Sequence, residues 1–372
     1  MFLALKEMQR AKVRFGLLAG AVGLLVFLIL FQQALLGGLI NQFIGALKNQ
    51  SADVLVYNDQ ARKNLEGSIV LPDQLDAVAA VEGVATASPL GEATFTVMAG
   101  GEEGDAVVFG YVLGGPGAPT TLVDGRLPET LGEAVASEKD NADGYAIGDV
   151  VSVLPGEIEV TIVGVASDIN YSVAPVLFVD FDTFAELKLA RNPDAAQVLP
   201  SAVAVDVADG SNAAEVAARI NEQVDGVEAL TRQEAVDGSP GVGSVRASFT
   251  IILGLFYLVV PLVTGLFFLI VTFQKASALT LLRAIGAPAR TLVVSLLVQV
   301  VVVMAIGSVI AFGLYAGALQ GVSNLGVKVE VLPAVLTSAV VLVLALVTSM
   351  VAVRRVLRID PLSATTGAGV AL

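Results

Sequence analysis

Residues 15–39 read FGLLAGAVGLLVFLILFQQALLGGL, an apolar run without a charged residue. An α-helix needs about 20 such residues, at about 1.5 Å rise each, to cross the hydrocarbon core of a bilayer. Three more runs of this kind lie in the last third of the chain, at 249–273, 292–319 and 335–353. A cleaved signal peptide is disfavoured for the first run, because a signal core has only roughly 7 to 15 apolar residues. The sequence therefore predicts an α-helical membrane protein with four transmembrane helices.

The chain between the first and second runs is long and acidic. Residues 48–246, the acidic block, carry 32 of the 35 acidic residues but only 10 of the 21 basic ones. Ten of the eleven basic residues outside this block lie on the predicted cytoplasmic side of the apolar runs: Lys6, Arg10, Lys12, Arg14, Lys275, Arg283, Arg290, Arg354, Arg355 and Arg358. Because basic residues accumulate on the cytoplasmic side of a membrane, both termini are predicted to be cytoplasmic and the acidic block extracytoplasmic. This places the chain in the inner (cytoplasmic) membrane as a multi-pass protein.

The first apolar run continues beyond the length that a bilayer requires. One helix over 15–47 would be roughly 50 Å long, compared with a hydrocarbon core of roughly 30 Å. We expect a transmembrane helix that continues as a stalk below the acidic block, although a tilted helix followed by a loop also fits. The predicted segments are a cytoplasmic amphipathic helix at 1–14, transmembrane helix 1 and stalk at 15–47, the extracytoplasmic domain at 48–246, transmembrane helix 2 at 247–274, a cytoplasmic segment at 275–291, transmembrane helix 3 at 292–319, an outer loop at 320–333, transmembrane helix 4 at 334–353 and a cytoplasmic tail at 354–372.

The acidic block has the patterns of a mixed α+β domain. Short β-rich runs occur at 53–57, 92–98 and 106–113, and a helix is predicted at 72–81. Residues 148–165 predict a hairpin that turns at Pro155-Gly156. Further along, a strand at 202–207, a helix at 212–224 and a strand at 227–230 predict a β-α-β unit, and a Gly- and Ser-rich linker at 237–244 precedes the second span. The predicted fold is thus four transmembrane helices with an α+β domain inserted between helices 1 and 2.

The composition excludes most kinds of catalytic site. The chain has no histidine and no cysteine, so imidazole- and thiol-based catalysis and the common metal centres are absent. It also has no Gly-x-x-x-x-Gly-Lys-Ser/Thr sequence that would cradle nucleotide phosphates. We therefore predict a protein that is not an enzyme and has no cofactor, metal site or nucleic-acid partner. The acidic clusters are interpreted as solvated loops.

The order of the segments resembles a known family. One span, a large exported domain and three more spans are similar to the FtsX-like and MacB-type permeases of ATP-binding-cassette (ABC) transporters, a group that includes macrolide, lipoprotein, haem and heterocyst-glycolipid exporters. Three stretches carry the local resemblance: 124–164, with GRLPETLGEAVASE, YAIGDVVSV and VTIVGV; 275–292, KASALTLLRAIGAPARTL; and 354–362, RRVLRIDPL. The resemblance implies a homodimer served by two copies of an ABC-type ATPase.

The segment 275–291 is the predicted site of contact with that ATPase. A short cytoplasmic helix that is stopped by Gly286 and Pro288 can present its side chains to a docking groove. A basic loop that merely obeys the topology is the alternative. The residues predicted to couple the two subunits are Leu279, Leu282, Arg283, Ala284, Ile285, Gly286 and Ala287.

The third span holds the predicted helix-packing residues. Gly313 and Gly317 form a Gly-x-x-x-Gly pair, which allows helices to approach closely, either within one subunit or at a dimer seam. Gln299 occupies a position at which many members of the resembled family carry an acidic residue. Its amide can bridge helices but cannot titrate, so a proton-linked role is not expected there.

Two functions fit these observations. The first is a permease subunit that couples ATP hydrolysis by a partner to efflux or extraction of an amphipathic or hydrophobic substrate, by transmitting force to the extracytoplasmic domain. The alternative is an FtsX-like signal relay that regulates a cell-wall hydrolase without transport. Both imply a second copy of the chain, membrane lipid and an ATPase as partners.

Overall fold

The computed structural model describes Lys6 and residues 8–274, 288–321 and 331–357, except for the side chains of 289–292, 319–321 and 351–357. These residues form two compact units. The membrane unit contains the described residues up to Leu36 and those from Ala247 onward, and the α+β domain contains residues 37–246.

Four long helices account for the predicted spans. They are α1 (Lys12–Lys48), α6 (Val242–Gln274), α7 (Ala289–Gly321) and α8 (Val331–Leu357). All four have the length and hydropathy needed to cross a membrane. Their shared core within the membrane unit is apolar, and it includes Val22, Val26 and Phe268. The prediction of four transmembrane helices is confirmed.

The α+β domain contains ten strands and four short helices. The strands are β1 (Val54–Asn58), β2 (Val84–Ala99), β3 (Glu102–Tyr111), β4 (Leu122–Gly125), β5 (Glu133–Ser137), β6 (Val150–Val153), β7 (Ile158–Ala166), β8 (Val176–Asp180), β9 (Ala202–Val207) and β10 (Val227–Thr231). The helices are α2 (Pro72–Ala79), α3 (Phe181–Arg191), α4 (Ala213–Gln223) and α5 (Arg232–Gly238). Short 3₁₀ turns occupy Asp59–Ala61 and Glu138–Asp143.

Strand β2 is long enough to pair with different strands in its two halves, so it belongs to two layers. Its first half pairs with β9, in a sheet ordered β10-β1-β9-β2, and its second half pairs with β3. From β3 the pairing runs through β8, β5, β7 and β6 and returns to β2. These strands therefore close into a barrel, which leaves no free edge among them.

Three apolar clusters fill the α+β domain. One lies between α2, α4 and the β10-β1-β9-β2 sheet, and includes Val56, Val78 and Ile220. A second lies among the barrel strands and beneath α3, and includes Phe95 and Phe184. The third joins the end of α1 to β1, β3 and β8 around a group of stacked aromatic rings. A domain of this size can bury such cores without disulfides.

Most of the predicted elements of the acidic block are confirmed. The strands at 53–57, 92–98 and 106–113, the helix at 72–81 and the hairpin at Pro155-Gly156 all occur. The predicted β-α-β unit is split, because β1 lies between β9 and β10 and is antiparallel to both. The linker before the second span is shorter than predicted, since α5 ends at Gly238 and α6 begins at Val242. The expected α+β fold between helices 1 and 2 is confirmed.

Candidate functional site

The predicted ATPase-coupling residues Leu279, Leu282, Arg283, Ala284, Ile285, Gly286 and Ala287 lie outside the described residues. So do most of the predicted outer loop and of the cytoplasmic tail. The candidate site is therefore built from α1 and α6, the two helices whose residues are divided between the units. It comprises the end of α1 and the start of α6, which belong to the α+β domain, and the contacts that the same helices make within the membrane unit.

Helix α1 is broken near its end. Ile44 has non-helical torsion angles (φ −142°, ψ 21°), although the residues on both sides are helical. An unbroken helix would pair the Ala46 N–H with the Gln42 carbonyl. Instead, Ala46 donates to the Asn170 carbonyl (3.1 Å) and the Gln42 carbonyl accepts from Val173 (2.9 Å). Both backbone groups freed by the break are thus satisfied by the loop before β8.

The contact between α1 and this loop is close. The Phe43 carbonyl accepts from the Ser172 N–H at 3.0 Å, and a Cβ added at Gly45 would lie 2.4 Å from the Asp168 carbonyl oxygen. Only glycine fits a contact this short. Because Gly45 has no side chain, the backbone of α1 can rest directly on the loop.

The loop itself is anchored by a buried polar network. Asn170 donates from Nδ2 to Asp140 Oδ2 (3.0 Å) and to the Ala174 carbonyl (3.3 Å), and its Oδ1 accepts from Ser137 Oγ (3.2 Å). Burial raises the pKa of Asp140, although the hydrogen bonds from Asn170 and Ser137 oppose this shift. These bonds fix the loop on β5, so that the last turns of α1 form part of the framework of the domain.

The segment that leads from α5 into α6 lies beside the end of α1 within the α+β domain. The hydroxyl of Ser239 donates to the Ala235 carbonyl (2.8 Å), and Arg246 forms an ion pair with Asp237. Between this segment and α1 is an apolar groove of about 150 Å³, lined by Leu39, Ile40, Phe43, Pro240, Gly241, Val242 and Val245. Phe43 is 44% exposed, whereas Val242 is buried. The groove suits an apolar group such as part of a hydrocarbon chain.

In the membrane unit, Gln33 joins three helices. Its Nε2 donates to the Tyr257 hydroxyl of α6 (3.3 Å), and its Oε1 accepts from Thr337 Oγ1 of α8 (3.0 Å). The neighbouring Gln32 donates to the Phe249 carbonyl of α6 (3.3 Å). Amide side chains satisfied in this way hold helices together where water is excluded. In the sequence, these glutamines are simply two uncharged polar residues within the apolar run 15–39.

A second glycine contact sets the crossing of α1 and α7. A Cβ added at Gly23 would lie 2.9 Å from the Gly307 carbonyl oxygen, and one added at Gly307 would lie 3.1 Å from Val22 Cγ1. The backbones of the two helices therefore touch at this point, as small residues permit. Neither glycine was among the predicted packing residues.

The predicted packing residues of α7 behave differently. Gly313 and Gly317 are exposed, and a Cβ at either would have no described neighbour within 4 Å. Gln299 is fully buried, but it lies 14 residues, or about 21 Å along the helix, from Gly313. The structure therefore does not bring Gln299 together with the glycine pair, and no described residue of the same copy covers the glycine face of α7.

Arg14 lies near the start of α1 and is held by α6. Its Nη1 donates to Gln274 Oε1 at 2.6 Å, and its guanidinium carbon lies 5.3 Å from the centre of the Phe267 ring. The distance to the ring is within the range of a cation–π contact. The sequence marked Arg14 only as a topology signal, because nothing in the linear pattern pairs it with residues more than 250 positions away.

A buried carboxyl group in the α+β domain was also missed. Glu92 on β2 is 4% exposed, and its Oε2 has no hydrogen-bond partner among the described residues. It lies opposite Phe109 of β3, in the aromatic group that contains Tyr171 and Phe178. Burial, and then the nearby Glu66 carboxylate, raise the pKa of Glu92 to about 7. An acidic residue in an alternating strand was the only signal for it.

Comparison with known proteins gives matches along almost the whole chain. Residues 16–223 match the family model of the MacB-like periplasmic core domain, and residues 250–361 match the FtsX-like permease C-terminal family. An uncharacterized ABC transporter permease of Mycobacterium tuberculosis is 26% identical over 99% of both chains. The putative hemin transport system permease protein HrtB of Staphylococcus haemolyticus is 23% identical, again over 99% of both chains.

Among solved structures, the chain is similar to the periplasmic region of MacB from Actinobacillus actinomycetemcomitans, with 14% identity, a TM-score of 0.36, and coverage of 50% of this chain and 92% of that one. The first family model alone spans more than half of this chain, and the second begins with the second spanning helix. The chain therefore belongs to the MacB- and FtsX-like family of ABC transporter permeases, and is a multi-pass membrane protein with an α+β domain between its first and second spanning helices.

Proposed function

We propose that this permease is part of an exporter in which two copies of a partner ATPase act on a dimer of the chain and move an amphipathic or hydrophobic compound outward. ATP hydrolysis takes place on the partner, and both termini of the permease are cytoplasmic. The α+β domain is extracytoplasmic and is displaced by force transmitted through α1 and α6. This orientation is supported by the basic residues that flank the spans and by the acidity of residues 48–246.

The observation that carries the proposal is the break in α1 at Ile44 together with its contact with the loop before β8, which we call the joint. Helix α1 starts in the membrane unit and ends in the α+β domain, and the loop before β8 takes up both backbone groups that the break sets free. A helix connected in this way cannot be displaced at this point without moving the loop and the strands that carry it. The joint therefore supports transmission of force rather than a loose tether.

The apolar groove beside this joint supports an amphipathic substrate. It is formed by side chains from both α1 and α6, such as Ile40 and Val245, so a displacement of either helix changes its shape. Its volume of about 150 Å³ suits one apolar portion of a larger molecule. One relative is named a putative hemin permease, so haem is the first compound to test, followed by macrolides, lipopeptides and lipids.

The ATPase contact is proposed for the cytoplasmic segment 275–291, with Leu279 and residues 282–287 as the docking surface. Replacing Arg283 by Glu reverses a charge there. We expect this variant to lose the stimulation of ATP hydrolysis by substrate in the reconstituted complex. Unchanged stimulation would contradict the assignment of Arg283 to coupling.

The central experiment tests the joint in the complex of the full chain and its ATPase, reconstituted in lipid nanodiscs. Gly45→Ala places a Cβ against the Asp168 carbonyl, whereas Gly16→Ala on the same helix adds a Cβ where no described atom lies within 4 Å. We expect Gly45→Ala to reduce substrate-stimulated ATP hydrolysis and export, and Gly16→Ala to leave both unchanged. Basal hydrolysis should persist in both variants, because the ATPase itself is not altered.

The chain has no cysteine, which permits a complementary test. Ile44 and Tyr171 are paired as antiparallel bridge partners, and the Cα atoms of such partners lie about 4.5 to 5.5 Å apart, within disulfide range. A disulfide between Ile44→Cys and Tyr171→Cys should preserve export, because it locks a contact that force transmission requires to be rigid. Export that stops on oxidation and returns on reduction would contradict the proposal. A stable complex that hydrolyses ATP but responds to no compound would favour a signal relay.

A further inference from the structure

A second groove lies in the membrane unit, between α1 and α6. It has a volume of about 550 Å³, and its apolar walls are formed by Val13, Leu17, Leu18, Ala21, Val263 and Phe267. Arg14 also lines it, at the end nearest the start of α1. From Arg14 to Ala21 the groove follows about 10 Å of the helix. We call it the Arg14 groove.

Arg14 is held in position at this groove. Its Nη1 donates to Gln274, and its guanidinium lies against the ring of Phe267. A guanidinium has five N–H donors, the bond to Gln274 uses one of them, and the ring contact uses none. Within the contacts that the described residues make, Arg14 is therefore an oriented cation with donors left for an anionic group that has several oxygen acceptors.

Among the described residues, the charge beside the groove is the positive charge of Arg14. No Asp or Glu occurs among the described residues of the membrane unit. An oxyanion at the mouth of the groove would therefore meet no carboxylate among the described residues. Basic pockets between spanning helices with apolar walls have the chemistry of phospholipid head-group sites.

We propose that the Arg14 groove binds one anionic phospholipid, with the phosphodiester on the Arg14 guanidinium and an acyl chain along Leu17, Ala21 and Val263. A second copy of the chain is the other candidate occupant. It is disfavoured because the described part of the membrane unit offers no carboxylate to neutralise a cation that would be enclosed at the seam. The inference rests on the membrane location of α1 and α6, and does not depend on export or on the identity of the substrate.

Native mass spectrometry of the purified full chain in detergent tests this directly, with phosphatidylglycerol and phosphatidylcholine as the probes. Arg14→Gln removes the proposed ligand, and Arg10→Gln makes the same change of charge at a residue that does not line the Arg14 groove. We expect wild type and Arg10→Gln to retain phosphatidylglycerol, and Arg14→Gln to bind it about fivefold more weakly. Phosphatidylcholine should bind all three weakly.

A second variant guards against a local packing defect. Ala21→Phe fills the apolar part of the groove and keeps Arg14, so it should also reduce phosphatidylglycerol binding. A photoactivatable cross-linker at the exposed Leu17 should capture lipid in the wild type. Equal binding by the Arg14→Gln and Arg10→Gln variants, no preference for the anionic lipid, or capture of a second copy at Leu17 would each overturn the proposal. None of these readouts uses ATP hydrolysis, so failure here is distinct from failure of the export proposal.

Discussion

The α+β domain and the membrane unit are held together by different means. In the α+β domain, whole strands are buried, including all five residues of β8. In the membrane unit, only 44% of the apolar window of α1 and 22% of that of α8 is buried within the chain. The spanning helices thus leave most of their surface to lipid or to a partner.

The difference follows from the solvent. In water, burying apolar side chains stabilises a domain by about 25 cal/mol per Å². In lipid, this driving force between helices is absent, so close backbone contacts and a few hydrogen bonds determine how the helices associate. The Gly23–Gly307 contact and the bonds of Gln33 therefore hold the helices of the membrane unit together, as the aromatic cluster holds the elements of the domain together.

The largest expected effect tests the domain side of this comparison. Phe178 is fully buried and its ring centre lies 5.1 Å from that of Phe109. Phe178→Ala should lower the free energy of unfolding of the α+β domain by about 3–5 kcal/mol, because it leaves a cavity. Urea unfolding of the full chain measures this free energy, with limited proteolysis as the readout of the unfolded fraction of the domain. Phe273→Ala, at a ring that is 52% exposed on α6, should have little effect, and an equal loss at both sites would break the comparison.

The next effect depends on pH and arises from Glu92. Its pKa is about 7 in the folded domain, compared with an ordinary value of 4.5. Between these two values the folded state binds more protons than the unfolded state, so stability falls as the pH rises through this window and then stays level. The total is on the order of 3 kcal/mol. Glu92→Gln should remove this part of the pH dependence and should be more stable than wild type at pH 8.

Urea unfolding at pH 5 and pH 8 provides the measurement for Glu92. Glu103→Gln is the matched control, because Glu103 lies on the adjacent strand β3 but is exposed. The difference between wild type and Glu92→Gln should be larger at pH 8 than at pH 5. If the difference were the same at both values, a buried carboxyl with this pKa would be ruled out.

A smaller effect tests the membrane side. Gly307→Val inserts a side chain where the backbones of α1 and α7 touch, and overpacking of this kind costs about 1–3 kcal/mol. The thermal melting temperature of the full chain in detergent should decrease. Gly313→Val makes the same change where no described atom lies within 4 Å, so it should leave the melting of one copy unchanged. If Gly313→Val weakens the dimer instead, the dimer-seam alternative for Gly313 and Gly317 is supported over packing within one subunit.

The smallest expected effect concerns Gln33. Gln33→Leu removes the hydrogen bonds to Tyr257 and Thr337 without a large change in volume. Hydrogen bonds between spanning helices contribute on average about 0.6 kcal/mol each, so the melting temperature should decrease only slightly. Gln32→Leu, which removes a single bond to a backbone carbonyl, should have a smaller effect still. A loss as large as that of Phe178→Ala would show that polar bonds dominate in the membrane unit.

The helices and many strands were predictable because their signals are local. Apolar runs of sufficient length predict spans, and the hairpin at Pro155-Gly156 follows from its turn residues. The closed barrel was not predicted, because β2 pairs with β6 about 55 residues away and the sequence of β2 does not identify that partner. The split of the β-α-β unit was missed for the same reason, since β1 comes from far upstream.

The candidate site was predicted only in part. The glycine pair Gly313 and Gly317 stood out by its spacing. The close helix contact nevertheless occurs at Gly23 and Gly307, and neither of these has another glycine four residues before or after it. The joint at Ile44 has no sequence signature, because its hydrogen bonds run between backbone atoms. Side-chain identity does not encode such bonds directly.

The sequence by itself determined the number of spans, the acidic insertion, the absence of a nucleotide-binding motif and the family of the protein. These are properties of composition, length and order, which each segment expresses independently of the others. Only the tertiary structure decided which glycines touch, where α1 breaks, how Arg14 is held by Gln274 and Phe267, and that Glu92 is buried. The reason is physical: a close approach, a desolvated carboxyl or an oriented cation exists only when residues far apart in the chain are brought into contact.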